Sequence, residues 1–190
     1  MGSDRLFGGE ENDKIAGGQG DDYLSGGSGS DRIFGGDGND AIQGGDGWDR
    51  VYGGAGDDII SGGIGADRLY GGPGSDVFVI NSPKEVFKSY YISETYTFVV
   101  DRIMDFTPGE DKIDLRNLDA NPLTAEHDAF VYSLSDDGYI EQGPGHVAWF
   151  SGMTAKESIV LINITQIGQT DSLEFFLVDS PALTRDDFIL

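Results

Sequence analysis

From Gly8 to Val79 the chain reads GGEENDKIA (8–16), GGQGDDYLS (17–25), GGSGSDRIF (26–34), GGDGNDAIQ (35–43), GGDGWDRVY (44–52), GGAGDDIIS (53–61), GGIGADRLY (62–70) and GGPGSDVFV (71–79). These are eight nonapeptides in unbroken register, with a partial copy, Asp4-Arg5-Leu6-Phe7, ahead of them. A short fixed period marks a stacked architecture in which each unit buries its apolar face against its neighbours. The shared pattern is G-G-x-G-x-D-x-U-x, with U apolar. Position 8 holds Leu6, Ile15, Leu24, Ile33, Ile42, Val51, Ile60, Leu69 and Phe78. One apolar side chain per nine residues suits a very short strand whose middle residue points inward. Glycines at positions 1, 2 and 4 suit the positive-φ backbone of a tight loop and leave carbonyl oxygens uncovered. Strand, loop, strand, loop then forms one coil, so the expected fold is all-β: a right-handed parallel β-roll with two nonapeptides per coil.

Position 6 is aspartate in every copy: Asp4, Asp13, Asp22, Asp31, Asp40, Asp49, Asp58, Asp67 and Asp76. In such a roll each loop lies over the loop two repeats away, giving one column of loops on each edge. Stacked strands are about 4.8 Å apart, and calcium sits about 2.3–2.6 Å from its oxygen ligands. A calcium ion between successive loops would therefore reach carboxylates and carbonyls from both. Magnesium, at about 2.0–2.1 Å and strictly octahedral, fits less well, and zinc lacks its usual His and Cys ligands. The expected ligands are these aspartates with the loop glycines Gly9, Gly18, Gly20, Gly27, Gly29, Gly36, Gly38, Gly45, Gly47, Gly54, Gly56, Gly63, Gly65, Gly72 and Gly74. Six gaps separate eight loops stacked two apart, and Asp4 would add a seventh, so about six to eight Ca2+ ions are expected. Without them the roll is expected to be largely unfolded, because ion binding would supply its folding free energy. The first repeat departs from the pattern: Glu11 stands at a glycine position, which would weaken that loop or add a ligand. Asp37 and Asp46 at position 3, and Asp21 and Asp57 at position 5, are either outer charges around the ions or simply solvated.

Composition narrows the alternatives. The 190 residues include 30 glycines, no cysteine and a net charge of −22. No disulfide is available to hold the fold, and so acidic a surface excludes nucleic acid as a partner. No apolar run reaches membrane-spanning length, and Met1-Gly2 does not open a signal peptide; the abrupt start suggests a piece of a longer protein. His127 and His146 lack a metalloprotease spacing, and there is no G-x-S-x-G, P-loop or dinucleotide fingerprint. The chain is expected not to be an enzyme by itself.

The repeats resemble the RTX β-roll of type I-secreted bacterial proteins. Beyond them, DRIMDFTPGEDKIDL (101–115) resembles the block that follows the roll in serralysin-type metalloproteases, in R-modules of mannuronan C5-epimerases and in RTX hydrolases. LTRDDFIL (183–190) resembles that family's closing motif. The segment 81–100 is longer and more aromatic than the family's linker. The resemblance implies a module secreted by a Gram-negative bacterium, which folds outside the cell or at its surface on meeting calcium. It also implies an attached N-terminal enzyme or adhesin, with Asp187, Phe188, Ile189 and Leu190 read by an ABC-type export machine. A further alternative is the C-terminal fragment of a serralysin-type protease or an RTX lipase.

After Val79 the period of nine disappears. Apolar stretches at 98–103, 112–115, 129–132, 147–150, 158–164 and 173–178, parted by turn residues, read as short antiparallel strands. The expected division is a calcium-binding roll over 1–79 and a β-sandwich-like cap over 80–190. Asp101, Asp105 and Asp114 are candidates for a calcium site at the junction. One face of the roll offers a second candidate site. Arg32, Arg50 and Arg68 at position 7, with Phe34, Tyr52 and Tyr70 at position 9, fall in alternate repeats and hence on one sheet. Such a stripe would suit an acidic polysaccharide, by charge pairing and ring stacking. Equally, it could only stabilise the sheet, with the arginines offsetting nearby aspartates.

Overall fold

The computed structural model describes residues 2–81, 88–92, 95–99, 101–117, 131–132, 146–151, 157–166, 169–178 and 183–189. Each nonapeptide places its apolar position in a strand: β1 (Arg5–Glu10), β2 (Lys14–Gln19), β3 (Tyr23–Ser28), β4 (Arg32–Asp37), β5 (Ala41–Gly47), β6 (Arg50–Ala55), β7 (Ile59–Gly65), β8 (Arg68–Tyr70) and β9 (Val77–Val79). Odd strands pair in parallel with odd and even with even, in registers that step by one coil, Leu6 on Leu24 and Ile15 on Ile33. The result is the flattened parallel roll expected from the repeat.

The inward side chains form a single file from each sheet. Leu24, Ile42, Ile60 and Phe78 meet Ile15, Ile33, Val51 and Leu69 across the roll, and all are buried. One aliphatic side chain per strand is a thin core, at about 1.5–3 kcal/mol for each fully buried residue.

The period ends at Val79, but the stacking does not. Beyond a hairpin of β10 (Lys88–Ile92) and β11 (Thr95–Val99), the strands β12 (Arg102–Ile103) and β13 (Lys112–Asp114) lie parallel on β8 and β9, with Ile103 on Leu69 and Ile113 on Phe78. After β14 (Val131–Tyr132), β15 (His146–Ser151), β16 (Glu157–Gln166) and β17 (Gln169–Val178), the last strand β18 (Phe188–Ile189) lies parallel on β13. One sheet thus runs β1-β3-β5-β7-β9-β13-β18. The other runs β14-β15-β16-β17-β12-β8-β6-β4-β2. Antiparallel pairing was expected throughout this half; it is found in β10–β11 and β15–β16–β17, whereas β12, β13 and β18 are further parallel rungs. The reason is visible in their side chains. Ile103, Ile113 and Phe188 are buried on the apolar file that the roll leaves open at its end.

Candidate metal centre

The loops divide the work of their glycines. Every second-position glycine, and every fourth-position glycine except Gly65, has a φ between 97° and 151°, a conformation closed to most side chains. First-position glycines do not share it, although the pattern suits positive φ at all three positions. Space is the constraint there. A Cβ on Gly17 would collide with Asp22 Oδ2 and the Gly35 carbonyl, and one on Gly53 with Asp58 Oδ2 and the Gly71 carbonyl. The missing methyl leaves a cradle between a carboxylate oxygen and the carbonyl of the next coil.

The aspartates form a ladder. The backbone N–H of each position-6 aspartate donates to Oδ1 of the aspartate one coil later: Asp4 to Asp22, Asp13 to Asp31, Asp22 to Asp40, Asp31 to Asp49, Asp40 to Asp58, Asp49 to Asp67 and Asp58 to Asp76, at 2.7–3.0 Å. The other oxygen is left over. Oδ2 of Asp13, Asp22, Asp31, Asp40, Asp49, Asp58 and Asp76 is buried with no hydrogen-bond partner among the described residues. A buried charged acceptor left unmatched costs about 1–3 kcal/mol or more, and here seven recur in two columns. A cation satisfies two facing acceptors at once and keeps both carboxylate and carbonyl in use. The donors are hard oxygens, which suits calcium. No three acidic, His or Cys side chains converge as a metal site among the described residues; the loop carbonyls must supply much of any coordination sphere.

Electrostatics agree. Burial pushes the Asp58 carboxyl up to about 7, against the lowering effect of the Asp40 N–H, and neighbouring Asp76, Asp40 and Asp57 raise it further. Asp49 and Asp76 rise to about 6 for the same first reason. The roll holds these carboxylates where, without a cation, they are reluctant to ionise.

At the C-terminal end the ladder runs on through residues outside the repeat. Asp67 N–H donates to Asp101 Oδ1 (2.9 Å) and Asp76 N–H to Asp111 Oδ1 (3.0 Å), across 34 and 35 residues instead of 18. Asp105 accepts from the N–H groups of Gly71 and Gly72. Asp114 instead pairs with Arg116 at 2.6 Å, whose hydrogen bond holds its carboxyl below the usual range. Asp111 escaped the sequence reading, although Asp111-Lys112-Ile113, like Asp101-Arg102-Ile103, copies positions 6 to 8 of the repeat. Asp21 and Asp57 are not simply solvated: each accepts the N–H of a residue one coil later, Asn39 and Ser75.

The terminal motif is part of the fold. Asp187 is fully buried; its Oδ1 accepts the Gly109 N–H and its Oδ2 the Thr184 N–H. Phe188 and Ile189 form β18, and Leu190 lies outside the described residues.

On the other candidate face, Arg32, Arg50 and Arg68 do stack in register and are exposed. Lys14 and Arg102 extend them to five rungs. Phe34, Tyr52 and Tyr70 stack on one another at 4.9 and 4.6 Å with nearly parallel planes, and Lys14 Nζ lies 5.7 Å from the Phe34 ring centre. Both faces of Tyr52 are thereby covered by its neighbours.

Comparison with known proteins places the repeats. The family of RTX calcium-binding nonapeptide repeats (four copies) matches residues 1–33, 25–60 and 43–78. No curated protein sequence matches the chain. Among solved structures, the AlgE6R3 subunit from the Azotobacter vinelandii mannuronan C5-epimerase is 23% identical, with a TM-score of 0.52, over 96% of this chain and 80% of that one. The AlgE6R2 subunit of the same epimerase is 24% identical, with a TM-score of 0.51, over 93% of this chain and 91% of that one. At these identities the likeness is one of fold.

Proposed function

Because the roll is built of RTX calcium-binding nonapeptide repeats, we propose that the chain is a non-catalytic module that folds outside the cell as calcium enters its two columns. In that role it supports the export and folding of an attached N-terminal enzyme or adhesin. The seven buried, unmatched Oδ2 atoms carry the reading. Bound calcium supplies the charge that these oxygens and the adjacent carbonyls lack. The chain's own part is to hold Oδ1 on the preceding coil, leave the first-position cradle empty and exclude water from the aspartates. Six gaps between complete loops, with partial sites at Asp4 and beside Asp101, Asp105 and Asp111, give about six to eight ions. The unfolded, ion-poor chain suits passage through an ABC-type exporter. No helix among the described residues is long and apolar enough to cross a membrane. Limited proteolysis of the full chain tests the proposal. The roll should resist cleavage in millimolar calcium and be degraded in chelator; equal resistance in both would contradict it.

A second role has its own support in the five-rung cationic ladder, an unusual feature on a chain of net charge −22. We propose that it holds a linear acidic polysaccharide by charge pairing, with no ring stacking on Tyr52, whose two faces are covered by Phe34 and Tyr70. Titration with oligouronates checks this: replacing Arg32, Arg50 and Arg68 by alanine should abolish binding, and undiminished binding would remove the role.

A further inference from the structure

Glu11 stands where the other seven nonapeptides have glycine, and it keeps the glycine conformation, φ 85°, the one positive φ outside glycine among the described residues. What this does depends on where a side chain at that position points. A Cβ on Gly29 would collide with the carbonyl of Glu11, one on Gly47 with that of Gly29, and one on Gly65 with that of Gly47. The opposite edge behaves alike, Gly38 against the carbonyl of Gly20. Fourth-position side chains thus point toward the preceding coil, into the space its loop occupies.

We propose that Glu11 terminates the ion column on its edge by filling the place where a preceding nonapeptide loop would stack. The opposite edge has no such block. Its counterpart there is Gly20, which leaves that space to residues 2–4: a Cβ on Gly20 would collide with the Gly2 carbonyl, and the Asp4 N–H donates to Asp22 Oδ1 at 2.7 Å. The N-terminal face is therefore one-sided: it admits a further nonapeptide loop on one edge and rejects it on the other. A second roll cannot continue this one in register, and any segment docked here must leave the stack beside Glu11. The strained φ is retained in exchange for a fixed start to the column.

The inference rests on the proposed reading that ions fill the gaps between stacked loops, and the experiment separates the two. One extra coil, GGSGSDRIFGGDGNDAIQ copied from residues 26–43, is inserted into the full chain either between Phe7 and Gly8 or between Tyr52 and Gly53, and bound calcium is counted by native mass spectrometry. The insertion after Tyr52 should add two ions. The insertion after Phe7 should add no more than one with Glu11 present and two with Glu11→Gly. Equal gains with and without that substitution would overturn the role of Glu11. Failure of the insertion after Tyr52 to add two ions would overturn the one-ion-per-gap reading, and the inference with it.

Discussion

Two glycines of the same loop pattern are needed for different reasons, and single substitutions should tell them apart. At Gly9 a Cβ has open space but must adopt φ 112°, a strain of about 1–3 kcal/mol. At Gly35 it would drive into Asp40 and the Gly53 carbonyl, closing the cradle. Gly9→Ala should lower the melting temperature yet keep the calcium stoichiometry; Gly35→Ala should lose bound calcium, as isothermal titration would show. The aspartates add a pH dependence of defined sign. Their folded, ion-free pKa values of about 6 to 7 at Asp49, Asp58 and Asp76 lie above the ordinary 3.8. Between those values the folded state holds more protons than the unfolded one, so the ion-free fold loses stability as pH rises through that window. Calcium displaces those protons, so its apparent affinity should fall as pH drops from 8 to 6, with proton release on binding. A pH-independent affinity over that range would contradict the geometry.

Among the elements, the exposed ladders of the even-numbered roll strands separate packing from charge. Tyr52 has a stacked ring on each side, at about 0.5–1.5 kcal/mol per aromatic pair. Tyr52→Ala should therefore destabilise the calcium-bound roll by about 2 kcal/mol in chemical denaturation. The exposed Arg50→Ala should change it by no more than about 0.5 kcal/mol. Legibility also divides by element. Strands β1 to β9 could be placed from the sequence because each repeats one apolar residue and one glycine loop at a fixed interval. The rungs β12 and β13 were hidden: Asp101 and Asp111 stand in for position-6 aspartates without the preceding G-G-x-G and at intervals of 34 and 35. The spacing of apolar residues in a short strand does not say whether its partner is parallel, so Ile103, Ile113 and Phe188 read equally well as cap strands. The column of unmatched Oδ2 atoms lay one step beyond the sequence, because it depends on which carboxylate oxygen the ladder consumes.

For the whole molecule, the opposing terms are a thin apolar file and a net charge of −22. Aspartates on adjacent coils sit closer than the screening length of about 8 Å at physiological ionic strength, so monovalent salt leaves their repulsion and their unmatched oxygens in place. The fold should accordingly require a specific divalent ion and not ionic strength alone. Far-UV circular dichroism during calcium titration of fully chelated protein, with magnesium as the control, tests this most directly. The expected result is little sheet signal before calcium, a cooperative gain as calcium is added, and no equivalent gain with magnesium. Full sheet signal and an unchanged melting temperature after exhaustive chelation would contradict it.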